Sequence, residues 1–289
     1  MELNDDMPTV WNCGRFTFDW VQNPSPIVMG ILNVTPNSFS DGGKFYDSSR
    51  ALDHAYQMIE DGAKIIDIGG ESTQPGMEPI SVQEELDRVL PILEKLQGTN
   101  VALSIDTYKG QTMQKALEAG VDILNDIRGF QDQENIAAAL SSDNVGLCVM
   151  HMQKNPQTMQ DQPNYENVVN EVGQFLKDRI ESLVYQGILR ERIAIDPGFG
   201  FGKTVQHNLT LLHRLNQLPL NGTTLLVGLS RKKTLSKILS KPTDQLSNAS
   251  VIASILAIER GAKVVRVHDV RPTVEAIKIW SAMQSENLI

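Results

Sequence analysis

The sequence predicts an α/β chain folded as a single (β/α)8 TIM barrel, with mobile loops at the C-terminal face of its strands. Two observations carry that prediction. Short apolar runs alternate with helical patterns along the whole chain, and the side chains able to do chemistry collect just after the runs. A length of 289 residues suffices for one such barrel. The alternation alone leaves a doubly wound open sheet as the competing architecture.

Residues 1–25 precede the first run and are set apart as an N-terminal extension, which leaves 26–289 as the barrel domain. The runs are IVMGILN (27–33), KIIDI (64–68), VALSID (101–106), VDILN (121–125), VGLCVMH (145–151), RIAID (192–196), TLLVGL (224–229) and KVVRVH (263–268). Each is rich in Val, Ile and Leu between polar or Gly residues, as a parallel strand covered on both faces should be. Between them, Ser81-x-x-Glu84 predicts a capping box ahead of Leu86, Val89, Leu90 and Leu93, in a helix that Pro91 should bend. Val168, Val169, Val172, Phe175, Leu176, Ile180 and Leu183 recur at helical spacing and stop at Gly187. Ala249 to Arg260 reads as an apolar helix ended by Gly261, and Thr273 to Met283 as a last amphipathic one.

Bulk properties exclude several classes. A formal charge of −9 supplies no positive field for nucleic-acid backbones, though a few local cations could still hold a small anion. No apolar stretch reaches the length of a membrane span, and the acidic, polar N-terminus is unlike a secretory signal. The two cysteines, Cys13 and Cys148, lie far apart; Cys148 sits in an apolar run and reads as a buried thiol, consistent with a cytoplasmic location.

The strand ends read Asn33, Ser72-Thr73, Asp106, Asn125-Asp126, His151, Asp196-Pro197-Gly198, Ser230-Arg231-Lys232 and Arg266-Val267-His268-Asp269. Asp106 could simply cap the helix that follows, and Asn125 and Asp196 could close turns. Together at one mouth, two carboxylates and a carboxamide suit a flat heterocycle with N–H donors and ring nitrogens. A second set suits phosphate: the Gly-rich stretches 40–43 and 69–73, with Arg231, Lys232, Arg266 and His268 as cationic donors. No metal-ligand spacing is present, but Mg²⁺ riding on substrate phosphates could be met by Asn33. Gly-Phe-Gly-Phe-Gly (198–202) is not a dinucleotide fingerprint, and no Ser-His-Asp set or acid–base carboxylate pair stands out.

The blocks MGILNVTPNSFSDGG (29–43), IDIGGEST (66–73), SIDTYK (104–109), LNDIRG (124–129), VMHMQ (149–153), IDPGFGFGKT (195–204), VGLSRK (227–232) and VRVHDV (265–270), in this order, resemble the dihydropteroate synthase family of folate-pathway enzymes. The resemblance covers residues 26 to 283. It implies a TIM barrel, usually a homodimer, that joins (7,8-dihydropterin-6-yl)methyl diphosphate to p-aminobenzoate with Mg²⁺ assistance and is the target of sulfonamides. By the same resemblance, Asp106, Asn125, Asp196 and Lys232 match pterin-binding positions. Ile127, Met150, Phe201 and Gly228 match the apolar or close-contact positions of the two substrate pockets. Asn33, Arg266 and His268 match the diphosphate and Mg²⁺ pocket. Thr73 matches a substrate contact in one mobile loop, beside Ser72, and Phe39 and Asp41 lie in the other.

Four positions depart from the family pattern. Gln74 stands where Arg is usual and Lys233 where Ser is usual, near the expected aminobenzoate carboxylate; Asn37 and Gly110 read as tolerable turn or surface changes. Lys233 is expected either to replace some of the charge missing at Gln74 or to face solvent. Two further readings are a pterin-binding paralogue without catalysis and a methyltetrahydrofolate–corrinoid methyltransferase, which should lack the 34–43 loop and a diphosphate pocket.

Overall fold

The computed structural model describes residues 8–35, 44–73 and 76–285. Eight parallel strands close into a barrel: β3 (Ile27–Asn33), β4 (Ile65–Gly69), β5 (Ala102–Asp106), β6 (Ile123–Asp126), β7 (Gly146–Met150), β8 (Ile193–Asp196), β9 (Thr224–Val227) and β10 (Val264–Val267), which returns to pair with β3. The expected runs and the observed strands agree to within two residues at each end. Helices α1 (Lys44–Glu60), α2 (Val82–Leu96), α3 (Gly110–Glu118), α4 (Gln133–Leu140), α5 (Val168–Tyr185), α6 (Val205–His213), α7 (Lys233–Leu239), α8 (Ser247–Ile258) and α9 (Val270–Ser285) follow the strands.

Local signals act as their chemistry dictates, with two exceptions. Ser81 Oγ caps α2 by accepting from Glu84 N at 3.1 Å, but the Glu84 carboxylate turns to Arg88, so only half of the predicted capping box forms. Gly110 is no surface change: it is buried, and a Cβ there would lie 2.6 Å from the Cβ of Glu134 on α4, closer than atoms can approach. Gly187 and Gly261, at φ +102° and +101°, lie just beyond α5 and α8 in a conformation that costs glycine little.

The two-residue period of the strands splits the core in two. Ile66, Ile68, Leu103, Ile105, Leu124, Leu147, Val149, Ile193, Ile195, Leu225, Val227, Val265 and Val267 belong to the large cluster that faces the helices. Met29, Ile65, Ala102, Ile123, Cys148, Ala194, Leu226 and Val264 alternate with them and fill the lower barrel.

Residues 1–25 hold an element that sequence reading left undescribed. The antiparallel hairpin β1 (Val10–Cys13) and β2 (Phe16–Asp19) closes the N-terminal end of the barrel, and Trp11, Cys13 and Trp20 join the inner cluster. Trp11 Nε1 donates to Arg192 O at 3.1 Å and Trp20 Nε1 to Thr224 Oγ1 at 2.9 Å, so neither indole is buried without a partner. Gly14 turns the hairpin at φ +55°, against Asp122, which pairs with Arg15 at 2.7 Å. Both cysteines are buried free thiols, as expected for Cys148. Among the described residues no helix is long and apolar enough to cross a membrane.

Candidate active site

The inward-facing positions change character towards the C-terminal ends of the strands. Above Ile65 comes Asp67, above Ala102 come Ser104 and Asp106, above Ile123 comes Asn125, above Ala194 comes Asp196, and above Val264 comes Arg266. They form one hydrogen-bonded floor. Asp67 accepts from Ser104 Oγ at 2.5 Å, Asn125 Nδ2 at 3.1 Å and Arg266 Nε at 2.6 Å. Arg266 Nη2 donates to Asp106 Oδ2 at 2.7 Å. Asp106 Oδ1 is buried and, among the described residues, has no partner.

Above this floor opens a cleft. Thr73, Asp106, Asn125, Ile127, Met150, Asp196, Phe201, Gly228, Lys232 and Arg266 line it, together with Gly198 and Phe199. They arrive from the ends of seven strands, β4 to β10, or from the loops after them, as a barrel allows. Asp106 does not cap a helix, since α3 starts only at Gly110 behind Lys109. Asn125 spends its amide on Asp67 rather than on a turn. Asp196 does both jobs: its Oδ1 accepts from Gly198 N at 2.7 Å and closes the turn, while the residue lines the cleft. Gly228 leaves space beside it, because a Cβ there would sit 3.9 Å from Asp196 Oδ2. Lys232 Nζ lies 4.4 Å from the centre of the Phe201 ring.

Burial sets the charges. Desolvation pushes Asp106 up to about 7 against the pull of Arg266, and it raises Asp196 as well. It lowers Lys232 to about 8, helped by Arg266. Burial also works against the Arg266 guanidinium, but Asp67 and Asp106 more than offset that and keep it firmly charged.

Of the expected phosphate cations, one is neutral and another is already paired. His268 is pushed down to about 3 by burial and by Arg266, so it is neutral. Its backbone N–H donates to Ser230 Oγ at 3.2 Å, and its Nδ1 lies 3.0 Å from the same hydroxyl. Arg231 is engaged twice by Asp269, at 2.8 and 3.2 Å. His151, read as a strand-end group, does not line the cleft; its Nδ1 lies 2.9 Å from Lys203 Nζ.

Phe39, Asp41 and Gln74 lie outside the described residues, as does Asn37. Ser72 and Thr73 follow Glu71 after β4, and Lys233 is exposed in the first turn of α7. Asn33 ends β3 in register with Gly69, whose other neighbour is Asp106. Its carboxamide Oδ1, a hard donor, and Asp106 Oδ2 each lie 3.7 Å from where a Cβ on Gly69 would stand, although Asn33 does not line the cleft. Among the described residues no group of three or more His, Cys, Asp or Glu could hold a metal. The donor set therefore fits only a Mg²⁺ carried mainly by water and substrate oxygens.

Sequence reading passed over Asp67, Ser104 and Lys203. Lys203 is buried and donates to Gly198 O at 2.9 Å and Phe201 O at 3.1 Å, fixing the turn that carries Phe201. Asp67 was signalled by its parity: it is a carboxylate between two outward-facing isoleucines, and so faces inward.

Comparison with known proteins agrees with this geometry. The model of the pterin binding enzyme family matches residues 29–268. The dihydropteroate synthase of Haemophilus influenzae is 45% identical over 258 residues, covering 89% of this chain and 94% of its own. The Burkholderia cenocepacia dihydropteroate synthase complexed with 7,8-dihydropteroate superposes with a TM-score of 0.87 at 44% identity, covering 97% of this chain and 98% of its own. The Xanthomonas albilineans enzyme with 4-aminobenzoic acid gives 0.89 at 40% identity, covering 96% and 99%. A polar barrel floor with an orphaned carboxylate oxygen, met in a chain this similar to those enzymes along nearly its whole length, places the protein in the pterin-binding enzyme family, among the dihydropteroate synthases.

Proposed function

We propose that the chain condenses (7,8-dihydropterin-6-yl)methyl diphosphate with p-aminobenzoate, releasing 7,8-dihydropteroate and diphosphate. The observation that carries this is Asp106 Oδ1, a buried acceptor without a partner among the described residues, in one cleft with Asp196 and Asn125. An amino-substituted pterin edge supplies the N–H donors that such acceptors need.

The reaction is dissociative in this reading. The C–O bond of the methylene breaks, and its electron pair leaves with diphosphate. The electron-rich ring holds the positive charge, and the neutral amine of p-aminobenzoate then forms the C–N bond and loses a proton to the medium. Asp106 and Asp196 hold the pterin and favour the cation electrostatically. Lys232 and Arg266 are the cations of the cleft, and the neutral His268 offers a ring N–H donor to the departing anion. When bound through Asn33, Mg²⁺ would add charge neutralisation on the diphosphate. No strong general base is needed, because the attacking amine is already neutral at pH 7.

A homodimer is supported by exposed apolar side chains on successive helices: Leu209, Ile238, Leu239, Ile252, Leu256, Ile279 and Met283. Sulfonamides, as p-aminobenzoate mimics, are expected to compete at the mouth, and the cytoplasm is the expected location of the work.

The test is incubation of the protein with the pterin diphosphate, p-aminobenzoate and Mg²⁺. Dihydropteroate should form, and omitting p-aminobenzoate should yield the pterin alcohol slowly, by water capture of the cation. Absence of dihydropteroate would reduce the protein to a pterin-binding paralogue, and a strictly inverted stereochemical course at the methylene together with an associative kinetic signature would end the dissociative route.

A further inference from the structure

Glu71, the second residue after β4, makes contacts that the proposed reaction does not use. Its Oε1 accepts from Tyr108 Oη at 2.5 Å. Its Oε2 accepts from Lys109 Nζ at 2.5 Å and from Ile80 N at 3.2 Å. One carboxylate thus ties residue 71 to residue 80, just before the cap of α2, and both to the segment after β5. Lys109 is shared with the buried Glu85 at 3.2 Å, which also accepts from Thr112 Oγ1 at 2.8 Å.

Tyr108 has a second side. Its ring packs on the cluster of Ile127, Met150, Met152 and Met159, on which Phe201 also packs. Of these, Ile127, Met150 and Phe201 line the cleft, and so does Thr73, two residues beyond Glu71. The pterin floor is held separately, by Asp67, Ser104, Asn125 and Arg266.

We propose that Glu71 is a positioning residue for the second substrate: through Tyr108 and Thr73 it sets the outer wall on which p-aminobenzoate is received, while the pterin floor stands without it. This rests on the reaction proposed above. The bond to a carboxylate that also pairs with Lys109 is of the stronger kind, so its loss should be visible in affinity.

Tyr108→Phe keeps the ring and removes only the hydroxyl. It should raise KM for p-aminobenzoate about tenfold, leaving kcat within about twofold and KM for the pterin diphosphate unchanged. Glu71→Ala should produce at least that rise, and adding Tyr108→Phe to it should produce no more. A merely structural role would lower the active fraction, and with it kcat, without dividing the two KM values. Melting temperatures show whether each variant folds; should Glu71→Ala not fold, Tyr108→Phe decides alone. Calorimetry with hydroxymethylpterin, diphosphate and Mg²⁺ present gives a readout free of turnover: Tyr108→Phe should bind p-aminobenzoate about tenfold more weakly and the pterin equally well. Equal affinity of variant and wild type for p-aminobenzoate, or equal weakening for both ligands, overturns the inference. A wild type that binds both but turns nothing over sinks the proposed reaction and leaves this inference standing.

Discussion

The two ends of this barrel are built from the same strands on opposite principles. At the N-terminal end the inward positions are Met29, Ile65, Ala102, Ile123, Cys148, Ala194, Leu226 and Val264, and a hairpin seals them with two tryptophans. Two or four residues further along, the same faces carry Asp67, Ser104, Asp106, Asn125, Asp196 and Arg266. One end is closed, apolar and satisfied. The other is open, charged, and keeps an acceptor that has no partner among the described residues. The difference separates stability from function: contacts at the lower end are complete in the folded chain, whereas those at the upper end await a ligand.

The largest expected effect is at the closed end. Trp11→Ala removes a fully buried indole and should cost about 3–5 kcal/mol of stability, seen as a lower melting temperature. The fraction that remains folded should keep its KM for both substrates. A changed KM would show that the two ends are coupled through the barrel. The converse is Asp106→Ala, which should lower kcat/KM about a hundredfold to a thousandfold. Arg266 keeps Asp67 in that variant, and a buried acceptor without a partner is removed, so the melting temperature should change little. Loss of folding in Asp106→Ala would mean that the floor is structural as well.

Titration sharpens the same contrast. The folded value of Asp106, about 7, lies above its ordinary value of 3.8, so the ligand-free protein is stabilised by the protonated form. That contribution is full below the ordinary value and is lost as pH rises through 7. Pterin N–H donors favour the ionised form, so pterin binding should strengthen by up to about tenfold per unit as pH rises towards 7, and then level off. Lys232, near 8, should set the decline on the alkaline side. In Asp106→Asn the acid slope should vanish in a pH series of calorimetric titrations; a slope that survives would move the titration to Asp196, which burial also raises.

How much of this was legible differs between the ends. The eight strands were readable because a strand covered on both faces is a continuous apolar run, and Asp106, Asn125 and Asp196 were readable because they end such runs; Arg266 stood out as the cation inside the last run. Asp67 and Ser104 were hidden inside runs, where only the alternation of inward and outward positions marks them. His268 could be named but not its charge, since neutrality comes from burial and from Arg266, neither of which is local in sequence. The hairpin was missed although Trp11, Cys13, Phe16, Phe18 and Trp20 alternate around Gly14, because it lies outside the eightfold alternation of strand and helix that organises the rest of the chain.

The smallest expected effect lies at Lys233, and it tests how far the charged end extends. Lys233 adjoins Lys232 in sequence, yet it is exposed where Lys232 lines the cleft. Water screens an exposed charge to about 1 kcal/mol at 4 Å, and physiological salt cuts it off beyond about 8 Å. Lys233→Ser should therefore raise KM for p-aminobenzoate by about threefold at most, and more at low ionic strength than at high. If Lys233 replaces the cation absent at Gln74, Gln74→Arg should shrink that effect. A KM unmoved by Lys233→Ser even at low salt would end the idea of compensation and draw the border of the charged end at Lys232. A rise of about tenfold or more, insensitive to salt, would instead require direct contact with the aminobenzoate carboxylate, and would extend the working face onto the first turn of α7.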